Sequence, residues 1–341
     1  MRNIRFCMLA AVFALATNAW TQITQDNSQP VDQGKYASRE KLPDPSAPPC
    51  DQPSGVPLIN RSTQNKLTNE LSDQSGSYPP SSNLYHHLTG TAGYGRPVLI
   101  TSEGAVVVDP GSTCGAIWLK DEIDKRFHVP VKYVLLSHGH FDHNAGSQVF
   151  QQAGAIVIAH KNALDNIVGN RYPSAVPDRL FMAMSIHDKP MVITLGSETV
   201  TISRVASSHS SGMIQFYFNK EKVLYCPDVC QGGTLALGDM HDLYFDGWLE
   251  TLEWVLQQDV SIIDTGHRLG TMAQQREQLE ILTGLRDQCY DFIWQGLAFD
   301  DAYRKVKWPD FARKYPNFQS NYEFQIEGVW RLAYEHNRAL Y

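Results

Sequence analysis

The stretch Val131-Lys132-Tyr133-Val134-Leu135-Leu136-Ser137-His138-Gly139-His140-Phe141-Asp142-His143 decides the fold. Its first half, Val131–Leu136, is mostly apolar and broken only by Lys132, so it reads as a buried strand. A strand delivers its end to the edge of a sheet. There a turn can fold three imidazoles and a carboxylate around one point. Four nitrogen or oxygen donors between His138 and His143 suit a borderline cation such as zinc. Gly139 relieves crowding in the turn, and Asn144 with Gly146 opens the next helix. A histidine-rich loop without metal is the bland alternative. A lone histidine would deserve that reading; a cluster with this spacing at a strand end does not.

Working outward, Val98–Thr101 and Ala105–Val108 are apolar β-type runs joined by Ser102-Glu103-Gly104, a hairpin signal. Asp109-Pro110-Gly111 stops the second of them. Ile117–Phe127 reads as helix, then after the decisive stretch come helix Gly146–Gln152, strand Ala155–Ala159 and helix Asn162–Val168. Residues 191–194, 199–206, 213–219 and 222–226 read as strands. Trp248–Gln257 is an amphipathic helix with Leu249, Leu252, Val255 and Leu256 on one side, followed by a short buried strand, Val260–Asp264. Helices are expected over 272–288, about 297–305 and 324–340. This order of elements predicts two sheets face to face with helices outside.

The ends of the chain differ in texture. Met1 to Trp20 carries Arg2 and Arg5 and then the apolar run Phe6–Ala16, the pattern of a secretory signal cleaved near Ala19. That run is too short to span a bilayer, which disfavours a membrane anchor. Residues 20–82 are rich in Gln, Ser, Asn, Asp and Pro and read as a polar, partly disordered leader with one short helix near Thr63–Leu71. The whole chain has 341 residues and a formal charge of -7 with no basic stripe, which argues against a nucleic-acid partner. Cys50, Cys114, Cys226, Cys230 and Cys289 lie beyond the signal. They are too sparse for a disulfide-built scaffold; one pair is expected to bridge, and the odd count leaves at least one thiol. Cys226 and Cys230 either bridge and stiffen their loop or are two partly buried thiols.

His138-Gly139-His140-Phe141-Asp142-His143 matches in full the His-x-His-x-Asp-His signature of the metallo-β-lactamase-fold hydrolase superfamily, which the chain resembles from about Leu84 to Ala298. The resemblance implies an α+β fold, a four-layer αββα sandwich. It places a hydrolase domain at 83–298 and a C-terminal helical extension at 299–341 packed on it. It also implies two metal ions, zinc by preference, with iron or manganese as alternatives. His138, His140 and His209 (in SSHSSG) would hold the first, and Asp142, His143 and His267 (in DTGHRLG) the second. Asp228 (in LYCPDV) would bridge them, and Asp109 (in VVVDPG) would lie beneath, fixing an imidazole through its other nitrogen. His209, Asp228 and His267 also follow expected strands, so they can reach the edge that carries the 138–143 turn.

The activity so implied is an exported dinuclear zinc-dependent hydrolase in which a metal-bridged hydroxide attacks a small ester, thioester or lactone, with Asp142 orienting the nucleophile and shuttling its proton. Antibiotic-hydrolysing members commonly carry Cys or Ser where this chain has Asp228. The ligand order is similar to glyoxalase II, although a glutathione thioester fits poorly with export to the periplasm or medium. Exported hydrolases of the quinoprotein-relay and sulfur-oxidation-associated kind offer a more general resemblance. β-Lactamase and phosphodiesterase activities are the enzymatic alternatives, and a metal-binding protein on the same fold the non-enzymatic one. His241 ends a Gly-rich loop expected to overlook the site and is a candidate pocket residue. Trp330 and its apolar neighbours either cap the pocket or, more simply, pack as helix.

Overall fold

Val106 and Val108 point to one face of their strand, Ala105 and Val107 to the other, and all four are buried. A strand buried on both faces needs a layer above and a layer below. The computed structural model supplies both. It describes residues 23–24, 27–32, 70–72, 78, 83–88, 95–169, 174–231, 243–305 and 330. The expected signal segment 1–19 and the helix expected over 324–340, apart from Trp330, lie outside the described residues.

In chain order the strands are β1 (Ile23–Thr24), β2 (Ser28–Pro30), β3 (Glu70–Ser72), β4 (Leu84–Leu88), β5 (Gly95–Thr101), β6 (Gly104–Val108), β7 (Val131–Leu136), β8 (Ile156–His160), β9 (Arg179–Phe181), β10 (Met191–Leu195), β11 (Glu198–Ser203), β12 (Gln215–Phe218), β13 (Val223–Tyr225), β14 (Ile262–Asp264) and β15 (Leu269–Gly270). The helices are α1 (Thr113–Phe127), α2 (Phe141–Asn144), α3 (Ser147–Gln152), α4 (Leu164–Gly169), α5 (Phe245–Val255), α6 (Met272–Trp294) and α7 (Phe299–Lys305). Among the described residues, one sheet has seven strands in the order β1-β10-β11-β12-β13-β14-β15. The other has eight, β2-β9-β8-β7-β6-β5-β4-β3.

Three apolar clusters define four layers. Between the sheets, Leu99, Val106, Val108 and Leu135 meet Ile193, Ile202, Phe216 and Tyr225. Behind the eight-stranded sheet, Val107, Val134 and Leu136 pack on Ala116, Leu119 and Ile123 of α1 and on Phe150 of α3. Behind the seven-stranded sheet, Leu224 and Ile263 pack on Trp248 and Leu252 of α5 and on Ile281, Leu282 and Leu285 of α6. Each large side chain buried in this way contributes roughly 1.5–3 kcal/mol. The fold is therefore the expected αββα sandwich, with α6 and α7 as C-terminal helices.

Several boundaries differ from the sequence reading. The expected helix near Thr63–Leu71 ends as strand instead: Glu70 and Leu71 belong to β3, and residues 63–69 lie outside the described residues. The backbone of β3 is satisfied by pairing with β4, and that pairing overrides the helix preference of Glu and Leu. From the same polar stretch, β1 and β2 add edge strands to β10 and β9. Helix α6 runs to Trp294, beyond the expected 288, with a capping box at Thr271 and Gln274 fixing its start. Trp330 meets Phe299 with ring centroids 5.9 Å apart and planes tilted by 57°, so it packs against the helices.

The cysteine alternatives resolve as well. Cys226 and Cys230 are free, fully buried thiols in the cluster behind the seven-stranded sheet, and Cys289 is a third. Cys114 is disulfide-bonded, to a partner outside the described residues.

Candidate metal centre

Strands β6 and β7 run parallel, as do β13 and β14 in the other sheet, so each pair ends at the same edge. The residues just past those ends are Asp109, the 137–143 turn, Asp228 and His267. Strand β12 runs antiparallel to β13, so the loop leading into it, with His209, joins them. A hydrogen bond from the Ile214 amide to the Ser137 carbonyl, 2.9 Å, ties the two sheets together there. Gly139 is required in the turn: a Cβ would lie 2.5 Å from Cβ of Asn166 and 3.2 Å from the Ala163 carbonyl.

Every metal-ligating residue expected from the sequence comes to this edge. His138, His140 and His209 form one group whose donor atoms lie within 4.8 Å of one another, and Asp142, His143 and His267 form a second. The Asp228 carboxylate stands between them. Its Oδ2 is 3.0 Å from His143 Nε2, 3.5 Å from His138 Nε2 and 3.8 Å from His209 Nε2, and its Oδ1 is 2.8 Å from His267 Nε2. Asp142 Oδ2 lies 3.3 Å from His143 Nε2 and 3.8 Å from His267 Nε2. Two donors of one tetrahedral zinc are about 3.3 Å apart, which these separations approach. His138 Nε2, His143 Nε2 and Asp228 Oδ2 are buried yet make no hydrogen bond among the described residues. Buried polar atoms without partners are costly, and a shared cation is the partner this donor set fits.

Beneath the donors, Asp109 is fully buried at φ 41 and gathers the scaffold. Its Oδ1 accepts from the Ser137 amide at 2.8 Å, and its Oδ2 from Ser137 Oγ at 2.5 Å, Tyr225 Oη at 2.7 Å and His143 Nδ1 at 2.8 Å. Ser137 Oγ, its proton given to Asp109, can accept from His138 Nδ1 at 2.9 Å. Both imidazoles are thereby fixed as Nδ1–H tautomers with Nε2 turned to the centre. Arg96, buried inside β5, donates to the Asp142 carbonyl at 2.9 Å. Ser137, Tyr225 and Arg96 escaped the sequence reading. A charge embedded in the strand Gly95–Thr101 was the one available signal.

The charges are mutually adjusted. Burial, reinforced by His143, His140 and His209, pushes the His138 pKa well below the usual histidine value, so it stays a neutral donor. For Asp228, burial opposes ionisation, but the neighbouring His143, His209 and His267 imidazoles hold it well below the carboxylate range. Deeper still, burial raises the Asp264 carboxyl from the ordinary 3.8 to about 7, against a hydrogen bond from Tyr78, one from the Gly266 amide and the charge of Arg96. A carboxyl raised on folding adds stability that is complete below about pH 4 and lost as the pH climbs to about 7. Asp264→Asn keeps an acceptor for Gly266. It is expected to flatten that dependence and raise the melting temperature of metal-stripped protein above pH 7. Melts from pH 4 to 8 check this, and parallel curves for the two chains would count against it.

His241 lies outside the described residues, between Gln231 and Leu243. Among those that are described, no helix is long and apolar enough to cross a membrane.

Comparison with known proteins covers the same part of the chain. A "Metallo-beta-lactamase type 2" from Elizabethkingia meningoseptica is 25% identical over 190 residues, which is 54% of this chain and 72% of the relative. A metallo-beta-lactamase from Pontibacter korlensis superposes with a TM-score of 0.52 at 19% identity, over 63% of this chain and 99% of that one. A double mutant of the sec-alkyl sulfatase PisA1 reaches a TM-score of 0.61 at 14% identity, over 77% of this chain; the chain spans 50% of that protein's length. These structural likenesses bear on the fold alone, and none singles out a glyoxalase II-like, quinoprotein-relay or sulfur-oxidation branch. The family description "Metallo-beta-lactamase superfamily" matches residues 90–267, more than half of the chain and every donor from His138 to His267. The chain belongs to the metallo-β-lactamase superfamily.

Proposed function

We propose that this protein is an exported dinuclear zinc hydrolase acting on a small ester, thioester or lactone. His138, His140 and His209 hold one ion, Asp142, His143 and His267 the other, and Asp228 is shared. The observation that carries this reading is the Asp228 carboxylate between the two groups, one oxygen toward His138 and His143 and the other toward His267. Two zinc ions bound there would polarise a substrate carbonyl and supply a water acidic enough to ionise near neutral pH; iron or manganese could serve similarly.

The chain's own groups do the rest. The Asp142 side chain is 38% exposed, so its carboxylate borders solvent and can hold a proton on its way to a leaving group. Ser137, Asp109 and Tyr225 keep His138 and His143 in the tautomer that offers Nε2. Phe141, 47% exposed between His140 and Asp142, offers an apolar surface beside the donors for a substrate body. Export is supported by the N-terminal charge and apolar pattern and by the disulfide at Cys114, since such bonds persist in oxidising compartments.

β-Lactam hydrolysis is the second reading, favoured by the likeness to a metallo-beta-lactamase type 2. The Asp at 228, where antibiotic-hydrolysing members commonly carry Cys or Ser, weighs against it. Metal analysis followed by a panel of a nitrophenyl ester, a thioester, a lactone, a sec-alkyl sulfate, nitrocefin and bis-nitrophenyl phosphate separates them. The highest kcat/KM is expected on a carboxylic ester, thioester or lactone. Preference for nitrocefin would install the second reading, and no turnover by metal-loaded protein would leave a metal-binding protein. Asp228→Ala is expected to fall from two bound ions to one by elemental analysis; undiminished occupancy would remove Asp228 as the shared ligand.

A further inference from the structure

Asp228 has φ 59, a left-handed conformation that a residue with a Cβ keeps only where its surroundings over-determine it. Its amide donates to the Thr265 carbonyl at 3.2 Å, and its carbonyl accepts from Gln231 Nε2 at 2.7 Å. Gln231 is in turn gripped by α6. Its amide is shared between Gln278 Oε1 at 2.8 Å and Gln275 Oε1 at 3.2 Å, and its carbonyl accepts from Gln275 Nε2 at 3.1 Å. Gln278 Nε2 donates to the Val229 carbonyl at 2.8 Å, which also accepts from Trp248 Nε1 of α5 at 2.7 Å.

Gln275 and Gln278 are wholly buried and, three residues apart, share a face of α6. Packing a helix onto a sheet needs only apolar residues there, and Ile281, Leu282 and Leu285 provide them. Burying two carboxamides costs stability unless both ends are bonded. Here both ends are bonded, to the backbone of the turn just past Asp228.

We propose that Gln275 and Gln278, acting through Gln231, are positioning residues that hold the Asp228 carboxylate in its shared orientation before metal arrives. The proposal rests on the dinuclear reading. It makes the C-terminal helix part of the metal centre's support, although no residue of α6 reaches a donor atom. Loosening the latch frees the Asp228 turn, while His138 and His140, carried past the end of β7, stay in place. The weaker-bound of the two ions should then respond first.

The test titrates metal-stripped full-length protein with Zn2+, and with Co2+ for its visible spectrum, comparing wild type, Gln278→Leu, Gln278→Glu and Leu285→Ala. Gln278→Leu is close in size and leaves Val229 bonded to Trp248 and Gln231 bonded to Gln275. It is expected to weaken the second zinc about tenfold and to alter the spectrum of the second cobalt equivalent, leaving the first unchanged. Gln278→Glu retains the acceptor for the Gln231 amide but loses the donor to the Val229 carbonyl, so it should weaken the second zinc measurably and by less than the leucine variant does; it serves alone if the leucine variant does not fold. Leu285→Ala should lower the melting temperature without changing either affinity. Equal second-ion affinity in wild type and both Gln278 variants, or a loss in Leu285→Ala as large as in Gln278→Leu, overturns the latch alone. Wild-type protein that binds fewer than two ions overturns the dinuclear reading beneath it.

Discussion

His138→Ala is expected to lose metal binding at its own donor group and, on the proposed reading, to lower kcat/KM by about a thousandfold. A metal acting as Lewis acid contributes several kcal/mol, and each 1.36 kcal/mol is about tenfold in rate. His138 is fully buried, its Nδ1 is committed to Ser137 Oγ at 2.9 Å, and its Nε2 has no hydrogen-bond partner among the described residues. Its pKa lies well below the ordinary range because of burial and the neighbouring imidazoles, so no proton competes for Nε2 at neutral pH. Alanine removes that donor without breaking a sheet hydrogen bond. In metal-free protein the change also removes a buried polar atom that has no hydrogen-bond partner among the described residues, which offsets the packing lost with the ring. The melting temperature without metal should therefore change little, while the rise on adding zinc should shrink. Melts with and without zinc, elemental analysis and hydrolysis rates report this together. A variant that keeps two ions and loses only stability would sink the assignment.

What the sequence made legible was local. Thirteen consecutive residues carried a strand and its terminal turn, and strand periodicity elsewhere was strong enough to place His209, Asp228 and His267 at strand ends. The supporting groups were not legible because their partners are distant along the chain. Tyr225 meets Asp109 across 116 positions and Gln278 meets Val229 across 49. Ser137 looked like an ordinary residue between strand and motif, and its role depends on an aspartate 28 positions earlier. Strands β1, β2 and β3 are two or three residues long, too short for any period. Their pairing is decided by the exposed edges they cover. Gln275 and Gln278 fall inside the helix expected over 272–288, where nothing local marks a glutamine as buried; only the packed turn of Asp228 against α6 makes them interior. Cys226 and Cys230 fit a bridge or two thiols equally well by spacing, and only the packed structure shows them as two free thiols inside the apolar cluster behind the seven-stranded sheet.

Asp109→Ala is expected to have the largest effect on stability. It leaves the Ser137 amide and hydroxyl, the Tyr225 hydroxyl and the His143 Nδ1 proton without their acceptor in a fully buried place. Each such orphaned donor costs about 1–3 kcal/mol. Several together rival the 5–15 kcal/mol that holds a typical domain, so a fall in melting temperature of about 10 °C or more is expected. Asp109→Asn separates the fold from the metal. Its oxygen can still accept from the Ser137 amide, but its NH2 brings two protons to face three former donors, of which only the hydroxyls of Ser137 and Tyr225 can simply turn to accept. Imidazole Nδ1 of His143 accepts only by giving up its proton. The ring would then carry its hydrogen on Nε2, the atom aimed at Asp228 and required as a ligand. Asp109→Asn should therefore fold, keep the ion of His138, His140 and His209, and bind the second ion weakly at any neutral pH. Metal stoichiometry and the cobalt spectrum decide it. Two ions held with wild-type affinity would mean that Asp109 acts on stability alone.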